Sequence, residues 1–139
     1  MSGWFKHKLV ISRPMWRCGG NGPYSHGKLL TSMIDTMGMM CCLGQDAKAC
    51  GVSHKNLLNR ANPDSVCVRD FTEAKKIPHL VEIDPIDGRY TGSHTKFANE
   101  AININDNEKY NDRRRELELF LLGKKHGIFI QFVGEYDKL

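Results

Sequence analysis

A single glycine near the end of the chain separates two incompatible periodicities. Before Gly127, Tyr110, Leu117, Phe120 and Leu121 recur on one face of a helix, with Asp112 to Arg115 placed outward. Lys124, Lys125 and His126 stand where cations complement a helix C-terminus, and Asn105 or Asp106 is the expected cap at its start. After the glycine, Ile128-Phe-Ile-Gln-Phe-Val133 is a β-branched and aromatic run that reads as a strand. Lys8-Leu-Val-Ile-Ser12 is a similar run, stopped by Arg13-Pro14. Strands near both termini with helices between them predict an α+β fold. The expectation is one domain over 1–139, in which a small sheet containing both terminal strands packs against helices.

The middle of the chain is punctuated by glycine and proline. Met15 to Pro23 carries Gly19, Gly20, Gly22 and Pro23 and predicts a loop, while Lys28 to Thr36 fits either a helix or a strand. Met40, Leu43, Ala47 and Cys50 recur at helical spacing, and Gly51 supplies the stop. Ser53 is the expected N-cap of a short second helix through Leu57-Leu58-Asn59, which must end before Pro63. From Pro63 to Gly92, three prolines, the turn Asp84-Pro-Ile-Asp-Gly88 and brief apolar stretches at Val66 to Val68 and Leu80 to Ile83 predict loops and short edge strands.

Charge and thiol content bear on partner and compartment. Residues 1–60 hold eight Lys and Arg against Asp35 and Asp46, leaving that segment at +6, and the remainder at −2. A basic first half suits an anionic partner, although its charges are scattered and no dense Lys/Arg run interleaved with aromatics is present. Five cysteines is an odd number and Cys41 adjoins Cys42, which argues against a secreted disulfide framework and for reduced thiols. No run reaches the roughly 18 apolar residues of a membrane span, and the start lacks a signal-like apolar stretch. Cytoplasmic residence, with no membrane partner, is the expectation.

Several motifs could carry chemistry. Gly22-Pro-Tyr-Ser-His-Gly-Lys28 fits the first seven places of a phosphate-binding loop, but Leu29 stands where a Ser or Thr would hold magnesium and Pro23 removes an amide donor. A looser anion site at this loop would use Arg17, His26 and Lys28. Cys41 or Cys42 at a helix start would gain thiolate character from the dipole. His94 with Asn105, Asp106 and Glu108 is a local metal-hydrolysis candidate, set against simple helix capping. Cys and His show no paired metal-ligand spacing, so no metal or cofactor is assigned; a zinc site from Cys18, His26 and a thiol near position 41 is the alternative. Arg113-Arg114-Arg115 would grip a phosphate backbone or form an ion-paired face with Glu108, Asp112, Glu116 and Glu118.

Trp16-Arg17, Met40-Cys-Cys-Leu-Gly44, Ala49-Cys-Gly-Val52, Ile104-Asn-Asp106, Arg115-Glu116 and Gly127-Ile-Phe-Ile-Gln-Phe-Val133 follow one another in order. In this the chain resembles a scattered family of small proteins from tailed phages and prophages. It departs from that pattern in having Cys18 and extra glycines after the tryptophan, and a Met-rich insert at Met33 to Met40. The resemblance implies phage or prophage origin and no established activity. The residues themselves suggest that Cys-Cys-Leu-Gly serves a tight helix crossing, with Gly44 allowing close approach.

The resulting expectation is a non-enzymatic phage accessory protein in the host cytoplasm that binds a host protein or sequesters a nucleotide-like anion. Its ligand-binding residues would be Trp16, Arg17, His26, Lys28, Asn105 and Asp106, where the glycine-rich loop would meet the Asn105-Asp106 pair. The competing classes are a small thiol- or metal-dependent hydrolase and a charge-driven nucleic-acid binder.

Overall fold

Strand β1, His7–Ser12, turns Leu9 and Ile11 inward and Lys8 and Val10 outward, as the period of two requires. The computed structural model describes residues 5–16, 40–58 and 62–135. Strand β4, Ile128–Val133, turns Ile128 and Ile130 to the same interior, each such side chain contributing about 1.5–3 kcal/mol by burial. The two strands pair in parallel, His7 opposite Ile128 through to Ser12 opposite Val133. The terminal strands are thus neighbours, and the chain between them is one long crossover.

Helices line the inner face of this pair and define the α+β class. Helix α1, Cys42–Ala49, packs on β1; α4, Lys96–Asn105, packs on α1; and α5, Asp112–Lys125, bridges α4 and β4. Gly123 sets the approach of α5 to β4, because a Cβ there would lie 2.5 Å from the Ile128 carbonyl oxygen and 2.8 Å from Ile130 Cγ1. Gly127, at φ +73°, then turns the chain from helix into strand. Helix α1 fits its sequence pattern, with Met40, Leu43 and Ala47 buried and Gly51 in the left-handed region at φ +96°. The short helix α2, His54–Leu57, follows with Ser53 at its N-cap position.

Three expectations need correction, and one helix falls where none was assigned. Pro63 opens a helix, α3 (Pro63–Arg69), in place of a loop, because proline's fixed φ and missing N–H suit a first helical turn. A helix also fills 96–105, where Thr95 Oγ1 accepts from Ala98 N at 3.1 Å. The cap of α5 is Asn111, whose side chain accepts from Arg114 N at 2.8 Å; Asn105 ends α4 and Asp106 is its C-cap. Finally, α5 is rotated from the expected face: Arg115, Leu119, Leu122 and Gly123 are buried, while Leu117 and Leu121 are about half exposed, at 51% and 50%. Arg115 enters the core because its Nη2 donates to the carbonyls of Asn107 (2.7 Å) and Tyr110 (2.9 Å), and Nη1 reaches Asp112 Oδ1 at 3.4 Å.

The predicted region of turns and short strands is an antiparallel hairpin, β2 (Val81–Ile83) with β3 (Tyr90–His94), separate from the β1–β4 pair. Asp84 Oδ1 fixes its tip by accepting from Ile86 N at 2.7 Å. A 3-10 segment, Phe71–Lys76, leads into it past Pro78 and His79.

Candidate metal centre

Asp46 on helix α1 and Cys50 at its C-cap stand one turn apart, so both look along the same side of its C-terminal end. Gln45 clamps this helix to β1 through both groups of its side-chain amide, Oε1 accepting from Ser12 N at 2.6 Å and Nε2 donating to Ser12 O at 3.1 Å. His7, at the opposite end of β1 from Ser12, lies against Asp46. His79 arrives from the segment before β2, held where Thr95 Oγ1 donates to its carbonyl at 2.8 Å. Lys76 secures the same segment, donating to Gly51 O at 3.2 Å and to the buried Glu73 at 2.7 Å.

The outcome is a four-donor cluster. His7 Nε2 lies 2.8 Å from Asp46 Oδ1, His79 Nε2 contacts Asp46 Oδ2, and Cys50 Sγ lies 3.9 Å from Asp46 Oδ1. The two imidazole rings lie 4.0 Å apart between ring centres, tilted by 36°. All four donor atoms fall within 4.8 Å of one another. Tetrahedral zinc with bonds of about 2.0–2.3 Å holds its donors about 3.3–3.8 Å apart, a spacing that the separations in the cluster straddle. No other group of three or more His, Cys, Asp or Glu side chains is so arranged among the described residues.

Burial grades across the cluster. Asp46 is 1% exposed, against 16% for the His79 side chain and 27% for that of His7. Burial pushes the Asp46 carboxyl upward, but the hydrogen bonds and charges of His7 and His79 outweigh it and hold the carboxyl below its ordinary value. The same hydrogen bond raises His7 above the usual imidazole value, against the effect of burial. Burial, together with the Asp46 charge and hydrogen bond, pushes the Cys50 thiol up to about 11. The protons that His7 and Cys50 hold are the ones a cation would displace.

The sequence-predicted sites resolve differently. Trp16 is fully buried, and its indole N–H donates to Asn105 Oδ1 at 2.7 Å; that oxygen also accepts from Cys42 N at 3.1 Å. Asn105 Nδ2 donates to Asp106 Oδ1 at 2.8 Å. Trp16, Asn105 and Asp106 are therefore brought together, in a junction whose partners belong to the chain itself. Arg17, Cys18, His26 and Lys28, with the glycine-rich loop, the phosphate-loop motif and Met33 to Met39, lie outside the described residues.

At the start of α1, Cys41 and Cys42 are both buried, and burial pushes the Cys41 thiol up to about 12, against the expected thiolate character, although its sulfur accepts from Gly44 N. His94 is also elsewhere than expected, its Nε2 accepting from Asp64 N at 2.8 Å and its Nδ1 meeting Asn99 Oδ1 at 3.2 Å. In the arginine triplet, Arg114 pairs with Glu118 at 2.9 Å and Arg115 with Asp112. The sequence reading missed His7, Asp46, Cys50 and His79 as a set. Its one local signal was the Asp46–Cys50 spacing on a helix; the imidazoles come from 39 and 33 residues away.

No family model, curated protein or solved structure matches this chain. No helix among the described residues is long and apolar enough to cross a membrane.

Proposed function

We propose that this chain is a metal-binding protein that holds one divalent ion of the zinc class through His7, Asp46, Cys50 and His79. The observation that carries the reading is convergence: four donors of ligand type, from three separate stretches of chain, lie within 4.8 Å of one another. Two imidazoles, one carboxylate and one thiol suit borderline ions such as zinc, and do not suit calcium or magnesium, which select oxygen. Four protein donors match the number in structural sites, where the ion cross-links chain segments and no position is left for a substrate. This keeps the class expected from sequence, a protein that works by binding, and replaces the anion at the glycine-rich loop with a cation. An accessory role in phage biology stays part of the proposal on the strength of the sequence motifs alone.

Calorimetric titration of the full chain with zinc tests it. The expected result is saturable binding of one ion per chain, weakened by at least about a hundredfold in the double variant His7→Ala/His79→Ala. Absence of saturable binding, or an unchanged affinity in a folded double variant, overturns the reading.

A further inference from the structure

Four described cysteines differ in one respect that bears on the metal centre. Cys41, Cys42 and Cys67 are buried, whereas Cys50, the one in the cluster, is partly exposed. Its sulfur is also the outlying donor: both imidazoles bond the Asp46 carboxylate at short range, and Cys50 Sγ reaches it only through a long hydrogen bond of 3.9 Å. Removing the sulfur therefore leaves the His7–Asp46–His79 unit intact. Of the three donor types present, thiolate is the one that hydroperoxides convert under mild conditions.

We propose that Cys50 is an oxidative modification site, at which a hydroperoxide converts the ligating sulfur to a sulfenic acid and releases the bound ion. This rests on the metal-binding reading, because coordination keeps the sulfur as the thiolate that reacts. The sulfur attacks one peroxide oxygen, the O–O bond breaks and an S–O bond forms. Sulfur gives up two electrons, and the second oxygen departs as hydroxide, or as alkoxide from an organic hydroperoxide, and takes a proton from solvent to become water or alcohol. The sulfenic acid is a poorer donor than the thiolate it replaces, leaving two imidazoles and one carboxylate to hold the ion. Small thiols reverse the change in two steps: the first displaces water to form a mixed disulfide, and the second frees Cys50. Once the ion has left, both imidazoles are free to bond the Asp46 carboxylate as they do in its absence, so the contacts that join β1, α1 and the segment before β2 are regained.

The experiment treats the zinc-loaded full chain with hydrogen peroxide, follows released zinc with a chromophoric chelator, and maps added oxygen by mass spectrometry. The expected result is release of zinc in step with oxidation of Cys50. Cys50→Asp supplies a carboxylate donor that peroxide does not attack; this variant is expected to bind zinc and to release it at least about tenfold more slowly. Retention of zinc after Cys50 is oxidised, or equally fast release from zinc-loaded Cys50→Asp, overturns this proposal and leaves the metal reading standing. A wild-type chain that never takes up zinc overturns both.

Discussion

Two buried polar nodes anchor helix α1, one at each end, and they are built on opposite principles. At its start, Asn105 gathers the Trp16 indole and the Cys42 amide with neutral hydrogen bonds. At its end, Asp46 gathers two imidazoles and a thiol around an ionised carboxylate. The first is a closed junction whose worth lies in the fold, since each bond spends a donor on an acceptor of the same chain. The second converges donors on a common point, a geometry that gains further energy from a cation. Burial alone therefore does not distinguish a structural node from a binding site. The chemistry of what converges does.

The largest effect is expected at the closed junction. Asn105→Ala leaves the Trp16 N–H and the Cys42 N–H buried without this acceptor and should cost about 3 kcal/mol in urea unfolding, with or without zinc. The second node should respond to the ion: zinc at about a hundred times its Kd is expected to stabilise the wild type by about 2.7 kcal/mol. Asn105→Ala should keep that increment and Asp46→Asn should lose it, so a zinc increment surviving in Asp46→Asn would erase the distinction between the nodes.

A smaller loss, about 1–2 kcal/mol, is expected for Gln45→Ala, which unclamps α1 from the Ser12 end of β1. Zinc affinity should change little, because His7 lies at the other end of the strand; a large drop in calorimetry would extend the binding site along β1. The smallest effect belongs to Leu117→Gln on the outer face of α5, within about 0.5 kcal/mol in thermal unfolding. A larger loss would restore the helix face expected from sequence.

How much was legible follows from how far each signal reaches along the chain. Helix α1 and its stop at Gly51, both terminal strands and the Asp84 turn rest on neighbours within a few residues, and each can be read directly. The face of α5 was misread because leucines at 117 and 121 favour burial, while the bonds that draw Arg115 inward come from carbonyls at 107 and 110 that no hydropathy pattern encodes. Pro63 was read as a breaker although it opens α3. The candidate centre was hidden for a plainer reason. His7 and His79 each stand alone in sequence, and only the docking of β1 and of the segment before β2 onto α1 makes them neighbours.

The parallel pairing of β1 with β4 also sets an order of events. Among the described residues, Leu9 and Ile11 have no strand partner until Ile128 to Val133 has been synthesised, so β1, made early, is secured late. His7 travels with it. A growing chain would then present Asp46, Cys50 and His79 before His7 is locked in place, and the four-donor cluster closes only once β4 has been made.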